Sequence, residues 1–264
     1  METIPRRERL IISGCLGAMV LVAWFYLLHA KTAMPGMDMP GMDMSGMDMR
    51  GMVMPELHEW GVTTLLLLFV MWAVMMVGMM VPSAAPMILT FLTVNQRRRT
   101  TARPLVPVGI FLLAYLVVWT AYSAVATLAQ WQLHRAALLS STMAATSPVL
   151  SGGLLIAAGV FQWTPLKLAC LKGCRSPLSF LMSEWREGTA GAFMMGLRHG
   201  TYCVGCCWVL MALLFVAGVM NLLWVAVIAL FVFAEKILPR GELLAHAAGI
   251  ALVTAGVALM ARLW

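Results

Sequence analysis

Charge is scarce in this sequence. Only 11% of its residues are Asp, Glu, Lys or Arg, against about 25% in a typical soluble domain. That excludes a chain made mostly of solvated globular structure. No glycine-rich phosphate loop, no Asp-Lys-Thr-Gly phosphorylation sequence and no Ser/His/Asp set is present. These absences tell against an ATP-driven pump, and no catalytic residue is assigned. Cysteine is limited to six residues, five of them in two clusters, which is not the framework of a disulfide-stapled secreted domain. The net charge of +7 calls for no nucleic acid, because the position of the basic residues accounts for it.

What is abundant is apolar. The chain is 62% hydrophobic, and several runs exceed the roughly 18 apolar residues that cross a bilayer. The expected fold is all-α, a polytopic transmembrane helical bundle of about seven spans near 10–28, 61–93, 105–130, 149–166, 190–219, 222–238 and 244–262. With the N-terminus inside, the inside segments carry thirteen basic residues: Arg6, Arg7, Arg9, Arg97, Arg98, Arg99, Arg103, Lys167, Lys172, Arg175, Arg186, Lys236 and Arg240. The outside segments carry four, Lys31, Arg50, Arg135 and Arg262. This asymmetry sets the orientation. The first span resembles a signal sequence in its Arg6, Arg7 and Arg9 start, but its apolar stretch is longer than the usual 7–15 residues and no clean cleavage site follows. It reads as an uncleaved anchor; cleavage would leave six spans. The organisation is then 1–33 as anchor, 34–56 as an extracytoplasmic loop and 57–264 as the bundle.

The loop is chemically distinctive. Residues 34–54 read MPGMDMPGMDMSGMDMRGMVM, with nine methionines in twenty-one positions and Gly-Met-Asp-Met recurring at a period of five. Met37, Met39, Met42, Met44, Met47 and Met49 form the repeat. A thioether is a soft, uncharged ligand suited to Cu(I), has no proton to lose and forms no disulfide. Gly, Pro and Asp every few residues also describe a plain flexible linker, and methionine is an oxidation sink. His58, between Glu56 and Glu59, adds N and O ligands or merely a solvated helix start.

Within the spans, the second runs over more than thirty residues and contains Pro82 and Pro86, so it is expected to tilt, kink or break near Pro82. It carries Met71, Met75 and Met79 at i, i+4 and i+8, with Met76 and Met80 beside them. Such a stripe is core filler or a ligand ladder. The fifth stretch is expected to start along the interface around Ala190–Arg198 and enter the membrane near Gly200. Gly196 with Gly200, and Ala247 with Ala251 and Ala255, read as close-packing stripes.

The densest chemistry is His199-Gly-Thr-Tyr-Cys203-Val-Gly-Cys206-Cys207. On a helix His199, Cys203 and Cys206 share one face at i, i+4 and i+7, with Cys207 beside them. Thiols and an imidazole suit Cu(I) or Zn(II), although free cysteines also pack as small apolar groups. A second pair, Cys170 and Cys174, sits among Lys167, Lys172 and Arg175 at the inside end of the fourth span, where a disulfide is disfavoured by the reducing compartment. Cys15 reads as packing. Glu235 in an apolar run needs a partner, and Arg198 is the candidate.

The segments MWAVMMVGMMVPSAAP, FQWTPLKLACLKGCRSP and GLRHGTYCVGCCWVLMALLFVAGVMNLLWVAVIALFVFAEK resemble a bacterial family of integral membrane proteins catalogued as a domain of unknown function and described as metal-binding. The resemblance covers roughly residues 60–240. It implies a multi-pass protein of the bacterial inner membrane and a metal role for Cys170, Cys174, Cys203, Cys206 and Cys207, with Glu235 and Lys236 matched as well. The Met-rich loop lies outside it and points from metal in general to copper. The expected function is binding of Cu(I) for transport or delivery across the membrane. The partners are the lipid bilayer and a periplasmic or membrane copper protein. A membrane thiol-disulfide oxidoreductase and a copper-insertion factor for a cuproenzyme are the alternatives.

A topology test follows from the distribution of basic residues. A reporter fused after Gly51 should be active outside the membrane and one fused after Arg99 inside; a cytoplasmic signal from the Gly51 fusion would overturn the assignment.

Overall fold

The computed structural model describes residues 6–33, 61–97, 105–139, 143 and 145–261. The methionine repeat, with Met37, Met39, Met42, Met44, Met47 and Met49, and the Glu56–His58–Glu59 group lie outside the described residues. Among those described there are ten helices and no strand. They are α1 (Arg6–Ala33), α2 (Val62–Arg97), α3 (Leu105–Arg135), α4 (Pro148–Phe161), α5 (Pro165–Arg175), α6 (Pro177–Glu184), α7 (Gly188–Ala212), α8 (Leu214–Ala217), α9 (Leu222–Ile237) and α10 (Gly241–Ala261).

Five stretches are long and apolar enough to cross a membrane: 7–30, 62–97, 107–135, 188–217 and 241–261. A sixth is obtained if the bent pair α4 and α5 counts as one span. The seven expected segments therefore include two that differ from simple spans. The fourth breaks after Phe161, and α5 leaves at 63° to α4. The cause is local. The Thr164 side chain accepts from the Lys167 backbone N–H, and Pro165 occupies the first helical position, a combination that starts a new helix rather than continuing the old one. Ser147-Pro148 opens α4 in the same way, and α6 also begins with a proline, Pro177. The sixth segment, α9, has only 16 residues.

Of the tilt, kink or break expected of α2, the break is not made; the segment runs as one helix through Pro82 and Pro86. The carbonyl of Met80, two residues before the first proline, accepts from Ser83 Oγ at 2.9 Å and from Tyr115 Oη at 3.1 Å. α7 is one continuous helix from Gly188 to Ala212 and so includes the stretch around Ala190–Arg198 expected to lie along the interface.

α2 is the centre of the bundle. Its buried residues include Met71, Trp72, Met75, Met76, Met79, Met80, Met87, Ile88 and Phe91. α1 packs on α2 through one stripe, Ile12, Leu16, Ala23 and Leu27, at helical spacing. Leu10, Leu21, Val22 and Phe25 on its other faces are exposed. Cys15 is also exposed, so its expected packing role is not met. α3 lies between α2 and α7. Gly196 and Gly200 meet Phe111, Ala114 and Val118 of α3, as their spacing predicts. The stripe on α10 is different from the expected one. Ala247, Ala251 and Ala255 are exposed, whereas Ala245, Gly249 and Gly256 are buried. A Cβ on Gly249 would reach Gly159 O at 2.9 Å, and one on Gly256 would reach Gly152 O at 2.8 Å, so α4 and α10 touch backbone to backbone.

Gly159→Ala should therefore destabilise the protein. Its new methyl would stand 2.7 Å from Gly249 O and 2.9 Å from Val253 N, and backbone clashes of that size cost about 1–3 kcal/mol. Gly153→Ala on the same helix meets nothing within 4 Å and should be neutral or gain up to about 1 kcal/mol. Thermal unfolding of both variants in one detergent gives the comparison.

Candidate functional site

The buried face of α7 carries Met195, His199, Cys203, Cys207 and Met211 at successive steps of four, with Cys206 alongside. Cys206 Sγ and Cys207 Sγ each point back to the Cys203 carbonyl, at 3.1 and 2.9 Å. α5 packs across this face. Its Cys174 is buried beside Cys203 and Cys206 and interacts with both. Cys170, half-buried, is held against Gly205, where a Cβ would come within 2.7 Å of its sulfur. A Cβ on Gly173 would stand 3.2 Å from the Tyr202 ring. Two glycines, one on each helix, thus bring two sets of thiols together. The structure unites Cys174, Cys203, Cys206 and Cys207, with Cys170 at the edge; all are free thiols.

Three further side chains enclose the sulfurs. Lys236 at the end of α9 donates from Nζ to Cys203 Sγ at 2.9 Å and to Ser83 Oγ of α2, also at 2.9 Å. Tyr115 Oη of α3 lies 3.1 Å from Cys203 Sγ. A buried ammonium is tolerated where its donors are used, and here a thiol and a hydroxyl take two of them. Cys203 is thereby the common contact of α3, α5, α7 and α9.

Glu235, next to Lys236, points to the other side and forms a buried ion pair with Lys167 of α5, at 2.8 and 3.0 Å. The expected pairing with Arg198 is not made; Arg198 binds Glu184 at 2.8 Å near the start of α7. Lys167 was expected in a loop, but the new helix that starts at Pro165 turns it into the bundle. Arg175 donates to the carbonyls of Leu238 and Pro239 at 2.7 and 2.6 Å, so α5 is tied to the end of α9 at two points.

His199 is buried but stands in an aromatic cage. Its ring centre is 5.9 Å from that of Phe111, 5.6 Å from Tyr115 and 5.7 Å from Phe180, and its Nδ1 has no hydrogen-bond partner. Among the described residues no three His, Cys, Asp or Glu side chains form a ready metal-binding group. The donor chemistry nonetheless fits a soft ion that takes few ligands: Cys174, Cys203, Cys206 and Cys207 are all buried and lie together, and sulfur is the donor such an ion prefers. Met71, Met75 and Met79 of α2 are all buried, as are Met76 and Met80. Through Met80 O and Tyr115 this column reaches the level of Cys203. Ser83, Tyr115 and Lys167 were not anticipated as part of the site; a lysine two residues after Pro165 in a Thr-Pro-led helix was the available signal for the last.

A family model described as "PpoB2: Copper chaperone" matches residues 69–259. No curated protein and no solved structure matches the chain. The matched stretch contains every thiol of the cluster and the methionine column, and leaves out α1 and the methionine repeat.

The Lys167–Glu235 pair should behave as a buried bridge, since both side chains are at most 1% exposed. Lys167→Met or Glu235→Gln alone should cost about 3–5 kcal/mol by leaving a charge unpaired, while the double change to two methionines should recover most of it. Arg198→Ala, at a half-exposed pair, should leave the unfolding temperature nearly unchanged. Thermal unfolding of the four variants tests this.

Proposed function

Because the chain belongs to the PpoB2 copper chaperone family, we propose that it is a membrane protein that holds Cu(I) as cargo on buried thiols and moves it across the inner membrane or hands it to a copper protein. One observation carries this reading: thiols from two helices meet deep in the bundle at the level reached by a column of buried methionines. With the N-terminus inside, the methionine repeat lies outside and would collect the ion. Met71, Met75 and Met79 would pass it along α2. Cys203, Cys206, Cys207 and Cys174 would hold it, with His199 beside them and Cys170 on the way out.

The chemistry supports the order. Thioethers bind Cu(I) without losing a proton and release it to thiolates, which bind more strongly. Binding at the thiols releases protons, since a coordinating sulfur is deprotonated. Lys236 must then give up its contact with Cys203 or keep it beside the ion. The family's description favours delivery to a partner over a pump. A thiol-disulfide exchange role draws on the same contact between Cys174 and Cys203, and the test separates the two.

Copper per protein, measured anaerobically under reducing conditions, decides. Cys203→Ser should abolish bound copper although it barely changes volume, and Cys15→Ser, on the exposed face of α1, should not. Exchange chemistry instead expects unchanged copper and loss of an oxidisable pair in thiol labelling. Equal copper in wild type and Cys203→Ser would sink the site.

A further inference from the structure

The outward face of α2 carries a groove that the thiol site does not use. Its volume is about 540 Å³, within the roughly 300–1,000 Å³ of ligand sites. Its floor runs from Pro82 to Thr93, on the side of α2 away from the buried Ser83, Met87 and Phe91. Phe233 and Ile237 of α9 form one wall, and Arg9 of α1 stands at the other. α1 and α2 run antiparallel: Glu8 accepts from Gln96 Nε2, while Gly78 faces Ala23 and Trp24. Arg9 is therefore at the Thr93 end of the groove, the end of the bundle where Arg7 and Arg97 are also exposed.

Two observations select the occupant. The first is charge. Arg9 is exposed, and among the described residues no carboxylate is bonded to it; the adjacent Glu8 is taken by Gln96. Thr90 and Thr93 donate their hydroxyl protons to their own helix, to the carbonyls of Pro86 and Leu89 at 2.7 and 2.8 Å. Arg9 is thus the donor left for an anion, at the mouth of a largely apolar channel. The second is length. Eleven helical steps separate Pro82 from Thr93, a rise of about 16 Å. That is half of a hydrocarbon layer about 30 Å thick, the depth of one leaflet. A partner's transmembrane helix would need a groove through both leaflets.

We propose that this groove binds one anionic phospholipid, with an acyl chain laid over Pro82 and Pro86 and the headgroup phosphate on Arg9. A guanidinium fork pairs with phosphate oxygens at two points, and basic recesses between spanning helices hold anionic headgroups. The position has a consequence for the bundle. Pro82 and Ile237 are the chain neighbours of Ser83 and Lys236, which turn inward to meet each other, with Lys236 also on Cys203. A bound lipid covers the outer side of this seam between α2 and α9 and holds it closed from behind. The site is independent of what the thiols hold.

The full-length protein in detergent is titrated with dioleoyl phosphatidylglycerol and, separately, with dioleoyl phosphatidylcholine, and retained lipid is counted by native mass spectrometry. The two carry the same chains, so their ratio reports the headgroup. The wild type should retain one phosphatidylglycerol in preference to phosphatidylcholine, and its unfolding temperature should rise with that lipid. Arg9→Gln, at an exposed position, should lower the preference about fivefold, equivalent to about 1 kcal/mol for one basic residue at a membrane surface. Arg7 is exposed and does not line the groove, so Arg7→Gln should leave the preference unchanged. Ala85→Trp puts a large side chain into the floor and should abolish retention of the preferred lipid. Equal losses in Arg9→Gln and Arg7→Gln would mean diffuse attraction and overturn the site, as would retention untouched by Ala85→Trp. A retained second copy of the chain that Ala85→Trp removes would give the groove to a protein contact and overturn the lipid site likewise.

Discussion

A lysine ammonium 2.9 Å from a cysteine sulfur and 2.9 Å from a serine hydroxyl holds three helices to one point. Lys236 comes from α9, Cys203 from α7 and Ser83 from α2. Glu235, the residue before it, fastens α5 through Lys167. Two adjacent residues at the end of α9 thus organise α2, α5 and α7, the three helices that carry the methionine column and the clustered thiols. Adjacent positions on a helix do not face each other, which is why one can look toward α5 and the other toward α7. Were Lys236 to lose its acceptors, a charge would be stranded in apolar surroundings. Were Glu235 to lose Lys167, the α5 thiols would lose one of their two ties to α9.

Much of this was legible in the chain, but unevenly. Scarce charge and long apolar runs specify a helical, membrane-type bundle. The i, i+4, i+7 spacing of His199, Cys203 and Cys206 puts them on one helical face, because helical periodicity is local. That Cys174 joins Cys203 and Cys206 is not local. It depends on Gly173 and Gly205 letting α5 approach α7, and no spacing in the sequence expresses that distance. The partner of Glu235 was misjudged for a related reason. Lys167 looks like a loop cation after a span ending near 166, until Thr164 and Pro165 are taken as the start of another helix. Serine or threonine followed by proline was a sufficient signal, and it recurs at Ser147 and Ser176. On α10 the regular alanine stripe was the more visible pattern, yet the helix turns Ala245, Gly249 and Gly256 to α4, because glycine allows the closer approach.

The methionines of α2 illustrate how one residue type serves two ends. Met71, Met75, Met76, Met79 and Met80 are nearly or wholly buried, and as flexible apolar side chains they fill the core around the proline-bearing turn. Their sulfurs are also the donors a soft cation accepts. Packing and coordination therefore do not compete at these positions.

The shortness of α9 has a consequence for the surroundings of the protein. Sixteen residues rise only about 24 Å, whereas a hydrocarbon layer is about 30 Å thick. In a bilayer, the helix ends before the lipid does. The carbonyls of Leu238 and Pro239, just past its end, are reached by Arg175, and Glu235 and Lys236, in its last turn, are buried. Lipid beside α9 must thin, or water must follow the charges inward. In such a bilayer the depth of the lysine and its sulfur would be set partly by the membrane, and the thickness of the host bilayer would become one of the variables acting on the thiol cluster.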